Sequence, residues 1–158
     1  MPIIKIEMPV NAPLERVFDL AHSIDLHTET MSKLKEKAVA GRTSGLINIR
    51  ETVTWEAIHF GVKQKLTSKI TMFDRPVHFR DSMVKGAFAR FDHDHFFDEA
   101  NLGTIMKDIF DYDSPLGILG NIADTLFLEK YMKNMLEERN NLIKGIAESE
   151  DWRKFLSP

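Results

Sequence analysis

Phe91-Asp92-His93-Asp94-His95-Phe96-Phe97 is the stretch that decides how this chain is read. In an extended strand, successive side chains point to opposite faces. One face then carries Phe91, His93, His95 and Phe97, and the other Asp92, Asp94, Phe96 and Asp98. Two imidazoles between two phenyl rings put a polar spot on a greasy surface, which is how a small-molecule pocket is commonly built.

The same period of two recurs on both sides of this stretch. Four long alternating segments occupy residues 49–60, 62–73, 77–86 and 88–98. Gly61, Asp74-Arg75-Pro76 and Gly86-Ala87 punctuate them, as antiparallel hairpins require. A further strand is predicted over 104–112, after the turn Asn101-Leu102-Gly103, and a weaker one over 37–42 before Thr43-Ser44-Gly45. Near the start, Ile4, Ile6 and Met8 alternate with Lys5 and Glu7 as a first strand.

Two short helices follow that strand. Asn11 reads as the N-cap of the first, with Pro13 in its opening turn and Leu14, Val17, Phe18 and Ala21 as its apolar face. Ser23 reads as the cap of the second, which begins at Ile24. Ser114-Pro115 ends the last strand, and a long helix is predicted over 116–147. The order strand, two helices, six strands, long helix describes an α+β fold: a curved antiparallel sheet of about seven strands, with the terminal helix over its concave face.

A chain of 158 residues is long enough for one domain with a real core, so a single domain over 1–158 is expected. The formal net charge of −3, with no basic run, gives no general attraction to nucleic acid or anionic lipid. The absence of cysteine removes disulfides and thiolate chemistry and fits a reducing cytoplasmic location. The charged, alternating N-terminus is unlike a signal peptide, and no apolar run is long enough to insert into a membrane.

Several segments carry a resemblance to a known superfamily. They are Val53-Thr54-Trp55-Glu56-Ala57-Ile58-His59-Phe60-Gly61, Leu66-Thr67-Ser68-Lys69-Ile70-Thr71 and Phe79-Arg80-Asp81. Phe91 to Phe97, Gly103-Thr104-Ile105-Met106-Lys107-Asp108 and Tyr112-Asp113-Ser114-Pro115-Leu116-Gly117 follow in order. Together they resemble the START/Bet v1-like superfamily, also called SRPBCC or helix-grip, in a bacterial ligand-binding and cyclase-like branch. The resemblance covers almost the whole chain and implies a hydrophobic cavity. Members of the superfamily include lipid carriers, hormone receptors, polyketide cyclases, dehydratases, toxin–antitoxin components and cochaperones, so it brings no catalytic residue with it.

Strand alternation supplies the candidate pocket residues. Beside Phe91, His93 and His95 it turns Trp55 and His59 inward from one strand and Phe79, Asp81 and Met83 from another. Met106, Asp108, Phe110 and Tyr112 come from the last strand. A buried Asp loses its charge unless it is paired, and an imidazole is a natural partner. His93 or His95, oriented by Asp81 or Asp108, therefore either binds a polar ligand group, moves protons or closes a structural network. His93 and His95 at alternate strand positions could chelate one ion, with His59 or an Asp as a third ligand. Two histidines one residue apart are a weak signal, so no metal site is assigned and no cofactor is expected. His22 and His27 read as helix-end or solvent-facing groups.

In the long helix, Leu116, Leu119, Ala123, Leu126 and Phe127 share one face. Leu128, Tyr131, Met132, Met135, Leu142, Ile143 and Ile146 share roughly the opposite one. Met132 and Met135 suit a pliable pocket lining. Arg139 falls in the second sector, where it reaches an inward carboxylate or a ligand, or else snorkels to solvent. The swing of the stripe leaves mouth loops, a ligand or a second copy of the chain, as a homodimer, to cover the first half.

These features favour binding of a small apolar or amphipathic molecule between sheet and helix. The alternatives are a polyketide cyclase or dehydratase-like enzyme using a pocket His/Asp pair, and a protein-interaction module.

Overall fold

The structure, a computed structural model, describes residues 2–113 and 127–156. The chain opens with β1 (Ile3–Val10), α1 (Leu14–Ala21) and α2 (Ile24–Thr30). A 3₁₀ turn (Ser32–Leu34) leads into β2 (Lys37–Gly41), β3 (Thr52–His59), β4 (Val62–Asp74), β5 (His78–Lys85), β6 (Arg90–Ala100) and β7 (Gly103–Asp113). The long helix α3 (Glu129–Glu148) and a final 3₁₀ turn (Glu150–Lys154) complete the described chain. The expected helix start at 116, the Ser114-Pro115 break and the face of Leu116, Leu119, Ala123 and Leu126 fall within 114–126, outside the described residues.

All seven strands form one antiparallel sheet in the order β1-β7-β6-β5-β4-β3-β2. Consecutive strands from β2 to β7 are neighbours, and β1 returns to pair with β7. The pairing register slips between Ala38 and Ala40, between Thr67 and Ser68, and between Ile70 and Met72. Such bulges bend and twist a sheet locally, which is what a gripping curve needs.

The alternation seen in the sequence sets the faces. In β7 the burial repeats with period two, placing Thr104, Met106, Asp108, Phe110 and Tyr112 inside. Gly103 begins that strand at φ +143°, and a Cβ there would collide with the Val10 carbonyl oxygen. Only glycine fits where β7 passes this close to the end of β1. Thr104 Oγ1 donates to the Ala12 carbonyl at 2.9 Å and fixes the same crossing.

Some local expectations need correction. Asn11 does not cap α1: Pro13 holds the N-cap position, while the Asn11 backbone N–H donates to Glu148 at 2.7 Å. An acidic side chain at the end of α3 thus anchors the turn that leads into α1. Ser23 does cap α2, accepting from the Leu26 N–H at 3.2 Å. The third strand starts at Thr52 rather than 49, because residues 46–51 run as an irregular segment pinned by His22. On α3 the buried stripe is Met132, Leu136, Arg139, Asn140, Ile143 and Ala147, and Leu142 is exposed.

Two apolar clusters fill the space between sheet and helices. One gathers α1 and α2 with Val53, Trp55, Ile70, Phe79, Phe97, Met106 and Ile143. The other joins Ile4, Ile6, Phe91, Phe110, Tyr112, Met132 and Leu136. Burial of such side chains at about 1.5–3 kcal/mol each supplies the main drive for closing α3 onto the sheet.

Candidate functional site

Along each central element, the residue between the two apolar clusters is polar. On β5 the order is Phe79, Asp81, Met83; on β6 it is Phe91, His93, His95, Phe97; on β7 it is Met106, Asp108, Phe110. On α3, Arg139 and Asn140 lie between Leu136 and Ile143. Strand register aligns these positions, setting Asp81 opposite His93 and His95 opposite Asp108. A polar belt therefore crosses the interior between two greasy layers.

The belt is tightly bonded. His93 Nε2–H donates to Asp108 Oδ1 at 2.8 Å. His95 Nδ1 lies 2.9 Å from the same oxygen, and its Nε2–H donates to Asp81 Oδ1 at 2.8 Å. Asn140 Nδ2 donates to Asp108 Oδ2. Arg139 donates to Asn140 Oδ1 at 3.0 Å and to the Ala21 carbonyl at 3.1 Å. The two imidazoles lie against each other with centroids 3.9 Å apart and planes tilted by 34°, and Phe79 stacks on His95 at 4.2 Å.

The electrostatics divide the histidines. Burial works against charge on both, and His93, with the like charge of His95 beside it, is pushed below the ordinary imidazole value. For His95 burial is outweighed by hydrogen bonds to Asp108 and Asp81, and its value rises. Burial would also raise Asp108 and Asp81, but their imidazole partners hold both below the usual carboxylate range. A cationic His95 and Arg139 then balance two carboxylates, leaving His93 neutral with Nε2–H toward Asp108. Its Nδ1 stands 3.9 Å from Asp81 Oδ1, beyond hydrogen-bond reach.

This belt meets a cavity of about 430 Å³ between the sheet, α2 and α3. Of the residues expected from the sequence, Trp55, His59, Phe79, Asp81, Phe91, His93, His95, Phe110, Met132, Met135 and Arg139 line it. Arg139 does not snorkel; it is 5% exposed and aimed inward. Met83, Met106, Asp108 and Tyr112 do not reach the wall. Asp108 sits behind the two imidazoles, Met106 packs in the cluster beneath α1, Tyr112 is enclosed by Phe88 and Phe110, and Met83 lies against the other cluster's edge.

Other wall residues were not expected. His22 is buried with Nδ1–H donating to the Ile47 carbonyl at 2.8 Å, and His27 packs its ring at a tilt against Trp55 while donating to Glu36 at 2.8 Å. Neither simply caps a helix or meets solvent, because α1 and α2 turn their adjoining ends into the cavity. His59 shares a 2.8 Å hydrogen bond with Tyr131, beside Phe60 and Phe127 at the exposed rim. Asn140, behind the cavity wall, was also not expected; its spacing, four positions from Leu136 and three from Ile143, is the signal that would have placed it on the buried face.

Comparison with known proteins agrees with this architecture. A protein from Thermus thermophilus superposes with a TM-score of 0.75 at 21% identity, over 91% of this chain and 95% of that one. A START superfamily protein from Mycobacterium smegmatis gives 0.70 at 11% identity, over 92% and 97%. The di-domain ARO/CYC StfQ from the steffimycin biosynthetic pathway gives 0.73 at 10% identity, over 92% of this chain and 50% of that one. At such identities these structures share the helix-grip fold with this chain. No curated protein matches its sequence. No described helix is long and apolar enough to cross a membrane. Residues 10–139 match the family described as "Polyketide cyclase / dehydrase and lipid transport", and the chain belongs to that family within the START/Bet v1-like superfamily.

Proposed function

We propose that this protein binds a small apolar or amphipathic molecule in the cavity between the curved sheet and α3. The observation that carries the reading is the cavity itself: about 430 Å³, walled mainly by apolar side chains and crossed on one side by the polar belt. Pockets of this size and make-up suit a molecule that is mostly hydrocarbon with one or two polar groups. Trp55, Phe91, Phe110, Met132 and Met135 would contact the hydrocarbon part, and Asp81, His93 and Arg139 the polar group.

Anilinonaphthalene sulfonate, an aromatic anion, tests this directly. It should bind with one site per chain and a blue-shifted emission, and native mass spectrometry of the purified protein should show a co-purifying small molecule. Met132→Trp, which fills the cavity from α3, should remove the dye signal without unfolding the chain. Dye binding unchanged by that substitution would reject the cavity as the site.

One feature favours a second reading, a cyclase or dehydratase. His93 is a neutral imidazole whose Nε2–H is oriented by Asp108, while it lines the cavity. That is the arrangement of a general base with its orienting carboxylate. Under this reading His93→Gln abolishes turnover of a poly-β-ketone substrate and leaves its affinity measurable. Loss of both together would favour the non-catalytic reading.

A further inference from the structure

The donor directions inside the belt suggest more than a hydrogen-bond network. Asp108 Oδ1 takes an N–H from each imidazole, Nε2 of His93 at 2.8 Å and Nδ1 of His95 at 2.9 Å. Each ring's other nitrogen, Nδ1 of His93 and Nε2 of His95, is thereby turned toward Asp81 Oδ1, at 3.9 Å and 2.8 Å. One ligand atom from each of Asp81, His93 and His95 lies within 4.8 Å of the others. We propose that these three side chains form a binding site for a divalent first-row cation of the zinc class, with its remaining position open to the cavity.

The distances suit that ion. Bonds of about 2.0–2.1 Å in a tetrahedron place ligand atoms about 3.3 Å apart. The observed 2.8 and 3.9 Å edges straddle this value and all three ligand atoms lie within 4.8 Å of one another, so side-chain shifts of about an ångström bring the cluster to that geometry. Two imidazoles and one carboxylate with a vacant position are a recurring donor set for zinc and related ions.

The surroundings supply what metal-bound histidines need. A carboxylate behind each ring fixes its tautomer and raises its basicity. Asp108 does this for both rings at once, and Asn140 on α3 anchors its second oxygen. Asp81 keeps 21% of its side chain exposed, so the site opens on cavity space rather than on packed protein.

Charge then constrains the occupant of the open position. Metal binding at Nε2 of His95 displaces the proton which that nitrogen otherwise donates to Asp81, and releases it to solvent. With both imidazoles then neutral, a divalent cation and Arg139 carry three positive charges against the two of Asp81 and Asp108. One anionic oxygen on the metal restores neutrality in the buried belt. The site thus extends the cavity reading by requiring an anionic head group on the cavity's ligand, although metal binding itself does not depend on that ligand. It also excludes His93 as a free base, because a coordinated Nδ1 cannot accept a proton.

The test uses the full chain stripped with EDTA and titrated calorimetrically with zinc chloride at neutral pH. One equivalent should bind, and cobalt(II) should give the intense visible bands of a low-coordinate site. Asp81→Asn and His93→Gln should each weaken zinc by at least about tenfold, while Asp94→Asn on the opposite face of the sheet leaves affinity unchanged. If either ligand variant fails to fold, copper(II) in the unmodified chain should show electron paramagnetic coupling to two imidazole nitrogens. Absence of stoichiometric zinc binding, unchanged affinity in both folded ligand variants, or absence of imidazole coupling would overturn the site. Binding of anilinonaphthalene sulfonate to the stripped chain is scored separately. It can persist when the metal site fails, and its loss in a chain that still takes zinc rejects the cavity reading alone.

Discussion

The sheet carries a His–Asp cluster on each face, and the two are neutralised in different ways. On the outer face Asp94 accepts two bonds from Arg80, at 2.9 and 2.8 Å, and one from His78 at 2.7 Å. On the inner face Asp108 and Asp81 are bonded by His93, His95 and Asn140, with Arg139 near but directed elsewhere. A guanidinium keeps its charge at any accessible pH, whereas an imidazole gives its proton up near neutrality. The outer cluster is therefore a fixed clamp between β5 and β6, and the inner one is titratable and open to competitors for its nitrogens.

The largest expected effect comes from removing the inner carboxylate that collects most bonds. Asp108→Ala leaves two buried imidazoles and an amide without their acceptor, and breaking a buried charged network from one side costs about 3–5 kcal/mol. The urea midpoint of unfolding measures it. A cost no larger than that of the outer-face Asp94→Ala would remove the distinction between the two faces.

Proton linkage comes next, with signs that differ by residue. His95 is raised, so its stabilisation is full below the unfolded imidazole value of about 6.5 and is lost as pH rises through its folded value. His93 is lowered, so the folded state resists its protonation and loses stability as pH falls below about 6.5. Asp81 and Asp108 are lowered as well, and their contribution, present above about 4, is lost as pH falls through their folded values. Stability should therefore peak near pH 6.5 and decline on both sides. His95→Gln should flatten the alkaline limb in a urea-midpoint series across pH. An unchanged alkaline slope would show that another group carries the inner cation.

Asp94→Asn should cost less, about 1 kcal/mol, because its arginine and histidine partners are partly solvated. Arg80→Lys should reproduce part of that loss, since an ammonium cannot make the two parallel bonds that Arg80 makes. A cost approaching that of Asp108→Ala would make the outer cluster as buried in effect as the inner one.

How much of this contrast was legible in the sequence follows from what each signal encodes. Period-two alternation placed His93 and His95 inward and Asp92 and Asp94 outward, because strand geometry leaves no other choice once Phe91 and Phe97 are core. It also placed Asp81 and Asp108 on the inner face. Pairing register is a different matter: for β5, β6 and β7 it is set by the turns that join them, which alternation does not reveal. Hence the sequence offered Asp81 or Asp108 as partners, and the fold uses both. The roles of His22 and His27 were misread because two short helices give no pattern that fixes their tilt over a sheet. Asn11 resembled a cap by type and position, but Glu148, 137 residues away, takes its backbone N–H. Long-range partners of that kind lie beyond any local reading.

Salt offers the finest discrimination between the faces. Added electrolyte screens charges that solvent reaches and leaves enclosed ones nearly untouched, with a screening length of about 3 Å at 1 M. Arg80 and His78 are partly exposed around Asp94, so the measured cost of Asp94→Asn should shrink by a few tenths of a kcal/mol between low and 1 M sodium chloride. Asp108 is 2% exposed and His95 3%, so the cost of Asp108→Asn should hold constant over the same range. The comparison needs the difference between variant and parent at each salt concentration, because salt also strengthens apolar burial in both. Parallel shrinkage of the two differences would mean that water and ions enter the belt through the cavity. The inner carboxylates would then be solvated rather than sealed, and their histidine partners would hold them no more firmly than Arg80 holds Asp94.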